Sequence, residues 1–296
     1  MVDPRTAHEA ATPTQKPQRT PKAGRDLPAA IATGAALLIP AVLGIIFFPL
    51  LLILVAVVLL CMGVWEVARA VETAGRLRLP KAPLYFGAAA MPLAAHYGGA
   101  EALTLALMVT CTAVVVAAAA RRIPEPGPSV MASIFVACWV PFLISFAVLL
   151  LNQPEGQWRL AVVVLLVVAN DTFGYMVGVL FGRHPIAPKV SPKKSWEGFA
   201  GSIAGSVLVG VLASTLIFDE HWLIGAALAA SVVVAATAGD FSESMVKREL
   251  GLKDMSYVLP GHGGVMDRLD SLVFAMPTAY FVIVALTDVG GASLLD

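Results

Sequence analysis

The chain has 296 residues, 58% of them hydrophobic and 14% charged, with 20 basic and 20 acidic side chains. A soluble domain is nearer half apolar and a quarter charged, so this balance, with a mean hydropathy of +0.82, excludes a soluble protein and predicts an all-α, polytopic integral membrane bundle. Cys61, Cys111 and Cys138 all fall in apolar runs with no CxxC spacing, and read as small buried hydrophobes rather than a disulfide frame or a metal site.

Residues 1–26 are rich in Pro, Thr and charge and predict a disordered cytoplasmic tail. The polar lead is long, and no short apolar stretch is followed by a small-residue cleavage site, so a signal peptide is the weaker reading. A membrane-crossing helix needs about 20 apolar residues. Nine runs are candidates: Leu27–Phe48, Pro49–Ala70, Leu84–Tyr97, Ala100–Ala120, Ser129–Leu151, Trp158–Phe181, Trp196–Phe218, Trp222–Gly239 and Ser271–Val289. The first two meet at Pro49 as a tight hairpin, and the third is short enough to be tilted or partly re-entrant. Residues 27–151 hold the first five spans, and residues 152–296 hold the last four with the catalytic residues. No internal repeat suggests a transporter with duplicated halves.

Basic residues orient such a bundle. The tail carries Arg5, Lys16, Arg19, Lys22 and Arg25. Alternate connections then carry Arg69, Arg76, Arg78 and Lys81; Arg121 and Arg122; Arg183, Lys189, Lys193 and Lys194; and Lys247, Arg248, Lys253 and Arg268. Of the 20 basic residues, only Arg159 falls on the other side. The pattern predicts a multi-pass cell-membrane protein with its N-terminus cytoplasmic, its C-terminus extracytoplasmic and its active site facing the cytoplasm. Near the inner end of the second span, Glu66 and Arg69 are spaced i and i+3 and read as a pair that snorkels to the interface.

Three places hold chemistry. Asn170 and Asp171 lie inside the sixth span, where a carboxylate costs about 2.5–3.5 kcal/mol unless a cation, a hydrogen bond or water offsets it; polar glue between helices is the plainer reading. Ser191–Gly198, reading SPKKSWEG, presents Lys193 and Lys194 on a loop. A basic patch drawn to anionic lipid would explain the lysines at about 1 kcal/mol each, but would not need Glu197 or the flanking Ser191 and Ser195. The third place runs from Gly239 to Asp270. Asp240 and Glu243 share one helical face, and Asp267 and Asp270 share another. Capping of a helix N-terminus accounts for part of this. The PGHGG turn before Asp267 lets backbone approach a ligand closely, and the acids face several basic residues. Together they suit a divalent metal on hard oxygens beside a phosphate site.

The stretch resembles the signature of the phosphatidate cytidylyltransferases, the CDP-diacylglycerol synthases. The residues that carry the likeness are Ser244, Lys247-Arg248, Lys253-Asp254, Ser256, Leu259-Pro260, His262-Gly263-Gly264, Asp267-Arg268 and Asp270. The upstream Ser-Pro-Lys-Lys-x-x-Glu-Gly element at Ser191–Gly198 and the Asn170-Asp171 pair extend the likeness over roughly Trp158 to Val289. Ser195 stands where the family usually has Thr, and Phe173-Gly174 where it often has Ala; the first change keeps the hydroxyl.

The resemblance implies an all-helical, Mg²⁺-dependent, dimeric enzyme that converts CTP and phosphatidic acid into CDP-diacylglycerol and pyrophosphate in phospholipid biosynthesis. On that reading Asp240, Asp267 and Asp270 are metal ligands, with Asp171 either a further ligand or a carboxylate just behind them, and room for a second cation. Lys193, Lys194, Lys247, Arg248, Lys253 and Arg268 face the triphosphate and the lipid phosphate, and His262 orients a phosphate. Asn170, Ser191, Ser195, Glu197, Ser244, Gly263 and Gly264 line the substrate site. The partners are CTP, phosphatidic acid, the bilayer and a second copy of the chain, with no nucleic acid. A transporter using Asp171 for ions fits the lysine-rich 247–270 segment poorly, and a related cytidylyltransferase acting on an isoprenoid ether lipid stays open. The spaced Asp signature of the CDP-alcohol phosphotransferases is absent.

Overall fold

The computed structural model describes residues 27–75, 77–121, 123–259 and 263–288; the expected tail and His262 lie outside them. In chain order the elements are α1 (Leu27–Ile46), α2 (Pro49–Gly75), α3 (Lys81–Ala120), α4 (Pro126–Ala137), α5 (Phe146–Leu151), α6 (Gly156–Phe181), β1 (Pro185–Ala187), β2 (Ser191–Ser195), α7 (Trp196–Leu216), α8 (Trp222–Glu249) and α9 (Met266–Asp288). Among the described residues, seven helical runs are long and apolar enough to cross a membrane, α4 and α5 counting as one run over Pro126–Leu151. The protein is therefore a polytopic helical membrane protein, although this measure reaches seven spans and not the expected nine.

Two expected spans fall within α3. Its 40 residues would reach about 60 Å if straight, twice the hydrocarbon thickness. The run breaks at Gly99, where φ is 67° and ψ −157°, a conformation open to glycine alone without strain. The two arms fold back on each other: a Cβ on Gly87 of the first arm would come within 2.6 Å of the Thr110 side chain of the second. The α4–α5 run is interrupted differently. Pro141 supplies no N–H, and residues Cys138–Phe142 widen into a π turn, with the Ser145 hydroxyl donating to the Pro141 carbonyl at 2.6 Å.

Helices α6 to α9 pack in sequence, each on the next. Lipid tails offer no hydrophobic drive for this, so small residues let the backbones meet. Gly174 of α6 faces Ser202 of α7, and Gly210 of α7 faces Gly225 of α8. The Ser202 and Ser206 hydroxyls of α7 donate to the Asn170 and Leu166 carbonyls of α6 at 2.6 and 3.3 Å. One buried apolar cluster ties α5, α6, α8 and α9 together through Leu150, Leu166, Ala229 and Met276. A second joins α2, the π turn and the start of α9 through Leu60, Val64, Val140, Met266 and Val273.

The polar ends depart from the hydropathy reading. Helix α8 continues past Gly239 to Glu249, and α9 starts before Ser271, at Met266. The segment expected as a loop at Ser191–Gly198 is instead half of an antiparallel β1–β2 hairpin running into the first turn of α7. Glu66 and Arg69 are not a pair. The Arg69 guanidinium stacks over Trp65 with its carbon 5.1 Å from the ring centre, while Glu66 turns inward and is 1% exposed.

Candidate active site

A cavity of about 300 Å³ opens between α6, the hairpin, α7 and α8. It joins two of the three places singled out in the sequence, together with Asp240 from the third. Asn170 and Asp171 come from α6, Ser191, Lys193, Lys194 and Ser195 from the hairpin, and Thr237 and Asp240 from α8. Asn170 is 4% exposed, and its Nδ2 donates to Asp171 Oδ1 at 2.9 Å. Its own Oδ1 is buried without a hydrogen-bond partner, which costs free energy unless something else supplies a donor or a cation.

The hairpin holds its lysines by anchoring its base. Ser195 caps α7, its hydroxyl accepting from Gly198 N at 3.1 Å. Glu197 accepts from Arg183 N at 3.1 Å and His184 N at 3.2 Å, and meets His184 Nδ1 at 2.5 Å. Trp196 N donates to the His184 carbonyl at 2.9 Å. Glu197 thus latches the end of α6 to the start of α7 and is not among the residues lining the cavity, although the sequence reading assigned it to substrate. Lys193 stands exposed on the cavity wall. Lys194 reaches the Asp240 carboxylate and lies 4.9 Å from the centre of the Phe241 ring.

The four candidate metal ligands divide into two groups. Asp240 accepts from Ser271 Oγ as well as from Lys194, and its charge is felt by both Asp171 and Asp270. Helices α8 and α9 touch backbone to backbone at this level: a Cβ on Gly239 would sit 2.3 Å from the Asp270 carbonyl oxygen. Asp267 is engaged elsewhere. It takes Lys247 Nζ at 2.8 Å, Gly264 N at 2.8 Å and Met255 N at 3.3 Å. Lys247 also pairs with Glu243 at 2.5 Å, a carboxylate that is fully buried.

Among the described residues no group of three or more His, Cys, Asp or Glu side chains is gathered closely enough to hold a metal ion. The oxygen chemistry nonetheless fits one. Asp171, Asp240 and Asp270 concentrate like charge, and Asn170, whose Oδ1 is buried without a partner, is one of the residues lining the cavity; hard oxygens of this kind suit Mg²⁺. The remaining candidates are not among the residues that line the cavity. Arg248, Lys253 and Arg268 are exposed at the end of α8, on the following segment and in the first turn of α9, and Ser244 is half-buried on α8. Gly263 has φ +79°, and Gly264 is buried.

One residue outside the sequence reading of the site is prominent. Glu66 of α2 accepts from Ser256 Oγ at 2.5 Å, Val265 N at 2.8 Å and Met266 N at 2.9 Å. Its signal in the sequence is the one that exposed Asp171, a lone carboxylate inside an apolar run. Glu66 lines a second cavity of about 540 Å³ together with Trp65, Arg69, Asp254, Ser256 and Tyr257.

Comparison with known proteins identifies a family. Residues 29–286 match the cytidylyltransferase family. A phosphatidate cytidylyltransferase of Mycobacterium bovis is 35% identical over 305 aligned positions, covering 95% of this chain and 99% of that one. One from Mycobacterium leprae is 38% identical over 92% of both chains. One from Haemophilus influenzae is 41% identical over 138 residues, 45% of this chain and 48% of that protein.

Proposed function

The chain belongs to the cytidylyltransferase family, and from that premise we propose that it transfers a cytidylyl group from CTP to phosphatidic acid, giving CDP-diacylglycerol and pyrophosphate. The observation that carries the proposal is the convergence of Lys193 and Lys194 with Asp171 and Asp240 around one cavity, with Asp270 behind them. A phosphate oxygen of phosphatidic acid attacks the α-phosphorus of CTP, and the bond from that phosphorus to the bridging oxygen breaks, so pyrophosphate leaves. Both reactants are anions, and their charge must be neutralised before they can align. Lys193 and Lys194 supply that neutralisation from the hairpin. The attacking phosphate is already ionised near neutral pH, so no strong base is required.

Asp171, Asp240 and Asp270, with Asn170 Oδ1, would hold Mg²⁺, which when bound offsets charge on the polyphosphate. Asp267 belongs to the same proposal one step removed, since its carboxylate fixes Lys247 and the segment before α9. Arg248, Lys253 and Arg268 would draw phosphates toward the site from the water side. The distribution of basic residues supports a cell-membrane protein with a cytoplasmic N-terminus and a site open to the cytoplasm, where CTP arrives from water and the lipid from the bilayer. A homodimer is the assembly implied by the family resemblance. The test is purified protein in detergent with radiolabelled CTP and phosphatidic acid, with and without Mg²⁺. Label passing into a lipid-soluble product only when the lipid and the metal are present is the expected result; no such product overturns the proposal.

A further inference from the structure

We infer that Glu66, on α2 in the N-terminal half of the chain, is a positioning residue that holds Ser256 and the start of α9, and through that helix Asp270. The inference rests on the cytidylyl-transfer reading above and adds to it a residue from outside the signature. A carboxylate with 1% exposure inside an apolar helix is costly unless its oxygens are satisfied. Those of Glu66 are satisfied by the segment itself: Ser256 Oγ, Val265 N and Met266 N. The last two are backbone donors at the start of α9, which the helix cannot satisfy internally, and the carboxylate sits at the positive end of that helix.

The clamp is shared with the site. Gly264 lies between two carboxylates, and a Cβ there would come within 2.8 Å of Glu66 Oε2 and 3.0 Å of Asp267 Oδ2. Asp267 grips the segment from the other side through Gly264 N and Met255 N, and carries Lys247. Asp270 follows one turn later on the same helix, against Gly239. Fixing the first turn of α9 therefore fixes the height of Asp270 beside Asp240. Gly63, one helical turn before Glu66, seats the same start of α9 by packing on Met266 and on Val140 of the π turn. Glu66 lines the 540 Å³ cavity and not the 300 Å³ one, so it reaches the latter through the segment it holds.

The test compares Glu66→Gln, Glu66→Ala and Glu66→Asp with Glu72→Gln as a control. Glu72 lies on the same helix, but its carboxylate pairs with Lys81 and accepts from Leu79 N away from the site. Turnover is expressed per monodisperse enzyme, so that lost folding does not count. A misplacement near 1 Å costs about 100-fold in rate. Glu66→Gln and Glu66→Ala should lose about that much kcat with KM for CTP nearly unchanged, Glu66→Asp should recover part of it, and Glu72→Gln should behave as wild type. Hydrogen exchange over residues 256–266 should quicken in Glu66→Gln alone of the two Gln variants. Retained kcat, unchanged exchange, or an equal loss in Glu72→Gln overturns the inference. If Glu66→Ala does not fold, the isosteric Gln variant decides. Wild-type protein that makes no lipid product defeats the functional reading, and the exchange measurement then decides the clamp by itself.

Discussion

The two ends of the bundle treat polar groups in opposite ways. At the end away from the cavity, Arg159 meets Glu220 at 2.8 Å, donates to the Pro154 carbonyl at 3.1 Å and stacks on Phe218. Asn152 closes the first arm of α3 by donating to the Ala95 and His96 carbonyls, both at 3.0 Å. Those charges and amides have partners. At the cavity end, Asp171, Asp240 and Asp270 crowd like charge together, and Asn170 Oδ1 is left without a hydrogen bond. A bundle able to satisfy its polar groups at one end has left an amide oxygen unpaired and acids crowded together at the other, as expected where a ligand completes the set.

The contrast breaks most sharply at the acids. Asp240→Asn and Asp270→Asn should each lower turnover by about 10³-fold or more while the protein stays monodisperse; substantial activity in either variant would remove the acids from the chemistry. Gly239→Ala comes next. Its new methyl would press on the Asp270 carbonyl, and a shift between α8 and α9 should lower kcat by about 100-fold, measured beside Gly127→Ala, whose Cβ meets nothing. Lys193→Ala should raise KM for CTP by about 10-fold, the loss of one charge-assisted contact, and an unchanged KM would return that lysine to a lipid-anchoring role. The smallest effect belongs to the opposite end. Arg159→Gln should leave turnover within about twofold and lower stability by about 1 kcal/mol, read as a drop in Tm in detergent.

Hydropathy located the membrane-buried parts of the helices well and their polar ends poorly. The expected sixth span, Trp158–Phe181, and seventh, Trp196–Phe218, differ from α6 and α7 by a turn or less. The eighth stops short at Gly239 because Glu243, Lys247 and Arg248 are polar, yet these residues continue the helix in i, i+4 register, with Glu243 and Lys247 in contact. The break at Gly99 is visible as a dip between two apolar runs. What it does to the chain depends on Gly87 meeting Thr110, a contact that no local pattern encodes. The signature residues were legible as a group because they cluster in the sequence, whereas their division of labour was not. Glu197 reads as substrate-binding and Asp267 as a metal ligand, and what the sequence does not show is that their oxygens accept from backbone N–H groups and meet His184 and Lys247. Glu66 was mispaired because Arg69 is its neighbour in sequence, while its actual partners lie about 190 residues away.

The β1–β2 hairpin has a practical consequence. Its base is bolted down by Glu197 and by the bond from Trp196 to His184, and Lys193 and Lys194 sit near that base. The tip, Pro188 and Lys189, projects into solvent and is held by one bond from Val190 N to the Ala187 carbonyl. A reporter dye or a short epitope grafted at the tip would ride on a stiff bracket beside the cavity mouth, giving an optical handle on nucleotide arrival without touching a reacting group.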